Sequence, residues 1–318
     1  MTKKKVLILG FSVTAEGPGF VESAHQKLGE NAGFLLSKVG IGGVHPQHLK
    51  FLIEGLLQDI RPDFVVFEIS TSAFRMFHKE PALHQEALDW ILYRCQQHGI
   101  GAAFLDLPRN DVNSETDWVT AMHRQICQEH GIPHHPVPQR EKLLKDVVHP
   151  TPAGCIYYAD HLLELLRDLD LSAQIVGSFP VKTEFGACDC VTETTKADMT
   201  HMRGGYVIDM AAITPERPLT LPLRSDMAVV GLLFLMGPLT GKMRVQVANA
   251  SANVFGYDEF CYYERVSIQI FPALRGDSVT ILQLPEVPDT VLKKGDKELG
   301  PRLGHVGKIL YERPLIHT

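Results

Sequence analysis

The chain has 318 residues, of which 45% are hydrophobic, so it is long enough to bury a sizeable core and does not have the composition of a disordered chain. Its formal net charge is −6, from 37 acidic and 31 basic residues without a long run of one sign. This pattern argues against nucleic-acid binding, which needs a basic surface.

No apolar run has the length of a membrane span, and the run at 6–9 is too short for the core of a signal peptide. Six cysteines are scattered along the chain without an export signal, which favours reduced thiols. We therefore expect a soluble, cytoplasmic protein.

The first half of the sequence alternates short apolar runs with longer segments of helical periodicity. This pattern predicts strands at 6–9, 34–39, 64–69 and 102–106, and helices at 19–28, 46–60, 81–98, 114–130 and 151–170. Strands that alternate with helices of this length form right-handed βαβ crossovers, so we expect an α/β domain over residues 1–175. In such parallel sheets, functional residues collect at the carboxyl ends of the strands.

Helical periodicity fades near residue 175, and strand-like runs follow at 206–210, 228–236, 243–247, 267–271 and 278–282. Polar and apolar residues alternate in several of them, as half-buried antiparallel strands require. The segment 237–241, Gly-Pro-Leu-Thr-Gly, resembles a hairpin loop between two of these strands. Residues 180–318 are therefore predicted to form a second, mostly antiparallel β-sandwich domain.

Small and polar residues follow the predicted strands of the first half. Ser12 follows the first strand, Gly43 the second and Ser72 the third, so one edge of the sheet gathers them. Much later, Asp146 precedes His149 by three positions, on the loop that leads into the last predicted helix. A serine with a histidine to accept its proton and an acid to orient that histidine indicates acyl-transfer chemistry.

These motifs resemble those of the SGNH (GDSL-type) hydrolase family over residues 5 to about 170. Gly10-Phe-Ser12-Val-Thr14 is similar to the family's first block, residues 39–43 (Val-Gly-Ile-Gly-Gly) to its second, and residues 146–154 (Asp-Val-Val-His-Pro-Thr-Pro-Ala-Gly) to its last. The resemblance implies a flavodoxin-like three-layer sandwich with a parallel sheet. It also implies a catalytic triad of Ser12, His149 and Asp146, with the backbone amides of Ser12 and Gly43 in the oxyanion hole.

The sequence departs from the family pattern at two positions. Phe11 replaces the aspartate of the first block, and the nucleophile beside it is unchanged. Ser72 stands where the third block has an asparagine that donates a hydrogen bond to the oxyanion. Loss of such a donor costs ~2.7 to 4 kcal/mol of transition-state stabilisation in a well-studied hydrolase. The hydroxyl of Ser72, or that of Thr71, would have to donate instead.

Other candidate residues have simpler interpretations. His45 and His48 flank the second block, where substrate contact and an exposed helix start explain them equally well. Cys188 and Cys190, with His201, lack the paired C-x-x-C spacing of structural zinc. We therefore predict neither a metal site nor a cofactor.

Two further assignments concern single polar positions. Glu68, at the end of the third strand, is interpreted as an acid paired with a neighbour such as Arg75. The adjacent His134 and His135 are interpreted as loop or strand-end residues.

The leading functional hypothesis is acyl-ester chemistry on a carbohydrate, as an O-acetyl esterase or an O-acetyltransferase, through an acyl-serine intermediate. The acetyl preference is implied by the resemblance alone. The β domain would serve as a glycan-binding or homodimerising module, by analogy at the level of fold. The alternative is a non-catalytic glycan-binding or assembly protein on a hydrolase scaffold, for which the substitution at Ser72 is the main support.

Overall fold

A computed structural model describes residues 3–29, 33–72, 80–113 and 115–315. It divides the chain into two compact units. The first comprises Met1–Val181 with Arg203–Tyr206, and the second comprises Lys182–Met202 with Val207–Thr318.

The first unit is built on a five-stranded sheet of order β2-β1-β3-β4-β5 in which every pair is parallel. Residues 6–9 of the first strand are fully buried, which explains why they form an uninterrupted apolar run. The order 2-1-3-4-5 is that of flavodoxin-like proteins, and it confirms the predicted fold class. The strands are β1 (Lys4–Gly10), β2 (Phe34–Gly40), β3 (Phe64–Glu68), β4 (Gly101–Asp106) and β5 (His134–Pro136).

Helices connect these strands, and their ends follow local sequence signals. Proline occupies the first turn of the helices that begin at residues 46, 81 and 152, where its missing N–H costs nothing. The described helices are α1 (Ser12–Ala15), α2 (Phe20–Leu28), α3 (Pro46–Ile60), α4 (Pro81–Gln97), α5 (Trp118–His130) and α6 (Pro152–Asp168).

Helix α5 begins later than the sequence predicts. The side chain of Asp117 accepts a hydrogen bond from the backbone N–H of Thr120, so Asp117 is the N-cap. Ser114, the predicted start, lies outside the described residues.

One face of the sheet packs on α2 and α6, which also contact each other. The buried cluster there includes Ile8 of β1, Val66 of β3 and Leu162 of α6. Helix α6 is therefore fixed along most of its length, and so is the loop that precedes it.

The second unit consists of antiparallel strands in two sheets. One sheet has the order β13-β10-β15-β8-β7, with β6 also paired to β15, and the other has the order β12-β11-β14-β9. Side chains of both sheets share one buried cluster, as in a β-sandwich. The strands are β6 (Thr183–Asp189), β7 (Met199–Arg203), β8 (Tyr206–Ile213), β9 (Leu219–Pro222), β10 (Ala228–Met236), β11 (Lys242–Val247), β12 (Ala250–Phe255), β13 (Arg265–Arg275), β14 (Ser278–Gln283) and β15 (Gly304–Pro314).

The predicted hairpin at 237–241 is wrong. It joins β10 to β11, which belong to different sheets, so the segment crosses the sandwich and does not close a hairpin. The buried hydroxyl of Thr240 stabilises the crossing, since it donates to the carbonyl oxygen of Gly237 at 2.8 Å and also contacts that of Gly256.

Among the helices of the described ranges, none has both the length and the apolar character needed to cross a membrane. All six cysteines lie within those ranges and are free thiols, as the sequence predicts.

Candidate active site

A cavity of about 540 Å³ lies at the carboxyl edge of the parallel sheet. It brings together four residues predicted for the site, Ser12, Gly43, Ser72 and His149. The full lining is Phe11, Ser12, Gly43, Val44, His45, Thr71, Ser72, Arg109, Asp111, Val147, Val148 and His149.

Ser12 is presented by a tight turn from strand to helix. Strand β1 ends at Gly10, and Ser12 is the first residue of α1. A Cβ atom at Gly10 would lie 2.2 Å from Oγ1 of Thr14 and 2.6 Å from the carbonyl oxygen of Glu68. Only glycine fits there, so the turn holds a half-buried Ser12 beside the cavity.

Asp146 and His149 form a hydrogen-bonded pair. Nδ1 of His149 lies 2.9 Å from Oδ2 of Asp146. Oδ1 of Asp146 accepts backbone N–H groups of Val148 at 2.9 Å and of His149 at 2.8 Å. Partial burial tends to raise the pKa of Asp146, but these amides and the ring lower it on balance. The carboxylate therefore stays ionised and fixes the orientation of the ring.

The loop that carries this pair is fastened at both ends. The side chain of Asn110 donates to the backbone oxygen of Asp146 at 3.0 Å. At the other end, the N–H of Thr151 donates to the carbonyl oxygen of Leu143 at 2.8 Å. Gly154 makes this approach possible, because a Cβ atom there would lie 2.2 Å from the same oxygen.

Ser12 and His149 line the same cavity, and the structure gives no hydrogen bond between their side chains, both of which are among the described residues. Catalytic hydrogen bonds are often long in free enzymes and tighten when substrate binds.

Ser72, the residue at the position of the usual asparagine, contacts a histidine. Its Oγ lies 2.7 Å from Nδ1 of His45, the residue that precedes α3. If Nδ1 carries the proton, the ring donates a hydrogen bond to Oγ of Ser72. Gly43 adopts a φ of 79°, in the left-handed region that favours glycine.

Glu68 is fully buried at the end of β3, where it accepts hydrogen bonds from Oγ1 of Thr14 at 2.8 Å and of Thr71 at 2.6 Å. Burial raises its pKa to about 7, and the nearby carboxylate of Asp106 adds to the shift. The Thr71 hydroxyl is therefore engaged with Glu68. Arg75, the predicted partner of Glu68, lies outside the described residues.

Arg109 and Asp111 also line the cavity, and sequence reasoning missed both. The guanidinium group of Arg109 donates from Nε to Oδ1 and from Nη2 to Oδ2 of Asp111, at 2.8 and 2.7 Å. Its Nη1 donates to the carbonyl oxygen of Thr71 at 2.6 Å. The pair therefore fixes the chain next to Ser72. Its position directly after β4, at the functional edge of the sheet, was the available signal.

Comparison with known proteins supports the architecture. No family model matches the sequence, and no curated protein matches it either. A two-domain esterase active on acetylated mannans matches with a TM-score of 0.66 and 13% identity, over 99% of this chain and 92% of that chain. A structure of such an esterase with mannopentaose gives a TM-score of 0.65 and 12% identity over the same shares. An acetyl xylan esterase matches with a TM-score of 0.44 and 17% identity, over 50% of this chain and 98% of that chain.

At this identity the likeness to the two-domain esterase shows the fold. It confirms the predicted architecture at that level, an α/β domain with a parallel sheet followed by a β-sandwich domain.

Proposed function

We propose that this protein is a serine-dependent carbohydrate O-acetyl esterase, with Ser12 as nucleophile, His149 as general base and Asp146 as the acid that orients the imidazole. The observation that carries the proposal is the Asp146–His149 pair beside a cavity that Ser12 also lines. A serine hydroxyl attacks an ester only when a base accepts its proton. His149 lines this cavity, and Asp146 is hydrogen-bonded to Nδ1 of its ring.

The reaction would follow from this arrangement in two stages. Ser12 Oγ attacks the acetyl carbonyl while Nε2 of His149 takes the hydroxyl proton and then delivers it to the sugar oxygen that leaves. Water, activated by the same nitrogen, next attacks the acetyl-serine and releases acetate. In each stage, Asp146 stabilises the imidazolium that forms.

The oxyanion hole in this proposal consists of the backbone amides of Ser12 and Gly43 and the hydroxyl of Ser72. His45 supports it by donating from Nδ1 to Ser72, so that the Ser72 hydroxyl faces the substrate. In this proposal, Ser72 and the His45 ring that contacts it together replace the asparagine that the family uses as a hydrogen-bond donor.

The substrate class is an acetylated polysaccharide. The esterase with the same two-domain fold is active on acetylated mannans, and this supports the choice of mannan as the first polymer to test. The β-sandwich unit would contribute glycan binding or dimerisation. A sugar hydroxyl in place of water would make the protein an O-acetyltransferase, which remains the rival for the second stage.

The test begins with a small aryl acetate, because it makes no assumption about the glycan. The wild-type protein should hydrolyse it, and Ser12→Ala and His149→Ala should each abolish turnover. A serine-directed organophosphonate should label Ser12 in the wild-type protein and leave His149→Ala unlabelled.

Acetate release from acetylated mannan then tests the glycan substrate, and acetylated sugar formed from an acyl donor would identify a transferase. If no acyl ester is turned over, and the isolated chain binds glycan saturably, the protein is a binding module on a hydrolase scaffold.

A further inference from the structure

Outside the active site, two histidine rings and a carboxylate converge between β5 and α6. Nε2 of His135 lies 2.9 Å from Nδ1 of His161. Oε2 of Glu164 lies 3.4 Å from the same atom of His161 and 3.9 Å from that of His135. Within the described residues, this is the one group of three or more such side chains whose ligand atoms approach one another closely.

Secondary structure places the three side chains together. His134 and His135 are neighbours in a strand, so their side chains point to opposite faces of the sheet. His134 bonds Asp106 at 2.8 Å, and His135 therefore faces α6. On α6, His161 and Glu164 are three residues apart and lie on one face of the helix.

The spacing of the ligand atoms suits a small cation. Zinc binds nitrogen at about 2.0 to 2.1 Å, so two nitrogens of a tetrahedral site lie about 3.3 Å apart. The His135–His161 contact, at 2.9 Å, would have to open by a few tenths of an ångström. The distance from Glu164 to His161, 3.4 Å, is already close to that value, and the distance from Glu164 to His135, 3.9 Å, would have to shorten.

We propose that His135, His161 and Glu164 bind a divalent transition-metal ion, with a water molecule as the fourth ligand. Two imidazoles and one carboxylate are a donor set that zinc accepts. Glu164 is the most exposed of the three, with 55% of its side chain accessible, so an ion can enter from solvent.

A metal requires that the two ligating nitrogens carry no proton. The proton that one ring holds in the contact moves to that ring's other nitrogen when the ion enters.

The ion would link β5, the edge strand of the sheet, to α6. Since a metal that binds only the folded state stabilises it, binding should raise the melting temperature. The site lies on the opposite side of β5 from the Asp106 contact and uses none of the residues of the proposed triad.

The experiment is isothermal titration of the full-length, chelator-treated protein with Zn²⁺, together with the Zn²⁺-induced shift in melting temperature. We expect one ion per chain in the wild-type protein. His161→Gln and Glu164→Gln should weaken binding by about tenfold or more and reduce the shift, since each removes a ligand. Glu164 is a surface residue, so its variant keeps the fold even if a histidine variant does not.

His98→Gln is the matched control, because Nε2 of His98 lies 3.1 Å from Oε2 of Glu54 in a histidine–carboxylate pair with no second imidazole. Co²⁺ substitution tests the ligand type, since thiolate ligands would add a charge-transfer band. Equal Zn²⁺ affinity in His161→Gln, Glu164→Gln and the wild type, or a thiolate band, would overturn the proposal. No ester substrate is involved, so the outcome is independent of the proposed esterase function.

Discussion

Oγ of Ser72 lies 2.7 Å from Nδ1 of His45, and both residues line the cavity of the proposed active site. The contact joins the segment after β3 to the residue that precedes α3. The contact gives Ser72 a fixed position beside the cavity. A serine held in this way can donate its own proton only if the imidazole supplies the other hydrogen bond.

Ser72→Ala should therefore reduce kcat by about 10²-fold with a small effect on KM, because the lost donor acts on the transition state. His45→Phe, which keeps a ring but removes Nδ1, should lower kcat in the same direction. Steady-state kinetics with an aryl acetate measure both.

Ser70→Ala is the matched control for this pair. It makes the same substitution two positions earlier, where the hydroxyl donates to the carbonyl oxygen of Leu107 at 3.0 Å. It should cost about 1 kcal/mol of stability and leave kcat unchanged. Equal kinetics in Ser72→Ala and the wild type would remove Ser72 from the oxyanion hole.

Asp146→Asn tests the orientation of His149. The amide oxygen can still accept the backbone N–H groups of Val148 and His149, so the loop should keep its shape. Its NH₂ group would face Nδ1 and leave the proton on Nε2, where it blocks attack by Ser12. We expect kcat to fall by about 10³- to 10⁴-fold at nearly constant melting temperature.

Asp170→Asn provides the comparison. Oδ1 of Asp170 also accepts a backbone amide, that of Ser172 at 2.9 Å, and Asp170 is not among the residues that line the cavity. Its kcat should match that of the wild type. An active Asp146→Asn would show that another group orients His149.

The first domain could be predicted from the sequence because its central strands are buried on both sides. Residues 6–9 and 64–67 form uninterrupted apolar runs, and α3, which precedes the second run, has proline in its first turn. The triad could be proposed because Asp146 and His149 are close in sequence, Ser12 follows the first strand, and both motifs resemble those of a known family. Local signals were sufficient for the strands and helices of this domain.

Contacts between distant segments were not predictable in this way. The segment 237–241 has the composition of a turn, and a turn that closes a hairpin has the same composition as one that crosses a sandwich. Which of the two forms depends on the strand with which β11 pairs. The contact between His135 and His161 likewise depends on how α6 lies against β5. Neither of these contacts joins residues at a fixed separation along the chain, so no sequence pattern indicates them.

Glu68 makes stability depend on pH. Its pKa is raised from 4.5 to about 7 in the folded protein, mainly by burial. Below its unfolded pKa the carboxyl is protonated in both states, and its full contribution is present. As the pH rises to about 7, the unfolded state releases the proton first, so stability falls by about 3 kcal/mol. Glu68→Gln should remove this fall, as measured by denaturant unfolding at about pH 5 and about pH 8.

Glu22→Gln is the control, because Glu22 should change stability with pH in the opposite direction to Glu68. Partial burial works to raise the pKa of Glu22, but hydrogen bonds from Lys38 and the amide of Gly19 lower it on balance. Its contribution to stability is therefore present above the unfolded pKa and is lost as the pH falls. A Glu68→Gln protein that keeps the wild-type dependence between about pH 5 and about pH 8 would mean that Glu68 is ionised in the folded state.

Gly154 tests the packing that holds the Asp146 loop. Gly154→Ala would bring a methyl group to 2.2 Å from the carbonyl oxygen of Leu143 and 2.9 Å from Cβ of Pro150, so the loop must move. We expect a loss of about 1 to 3 kcal/mol in the free energy of unfolding, with reduced kcat because His149 is displaced.

Gly55→Ala, inside α3 with no atom within 4 Å of the added methyl, should instead stabilise the protein by about 0.5 to 1 kcal/mol. Chemical denaturation of both variants measures the difference, and equal stability would show that the close approach of the loop to α6 is not required.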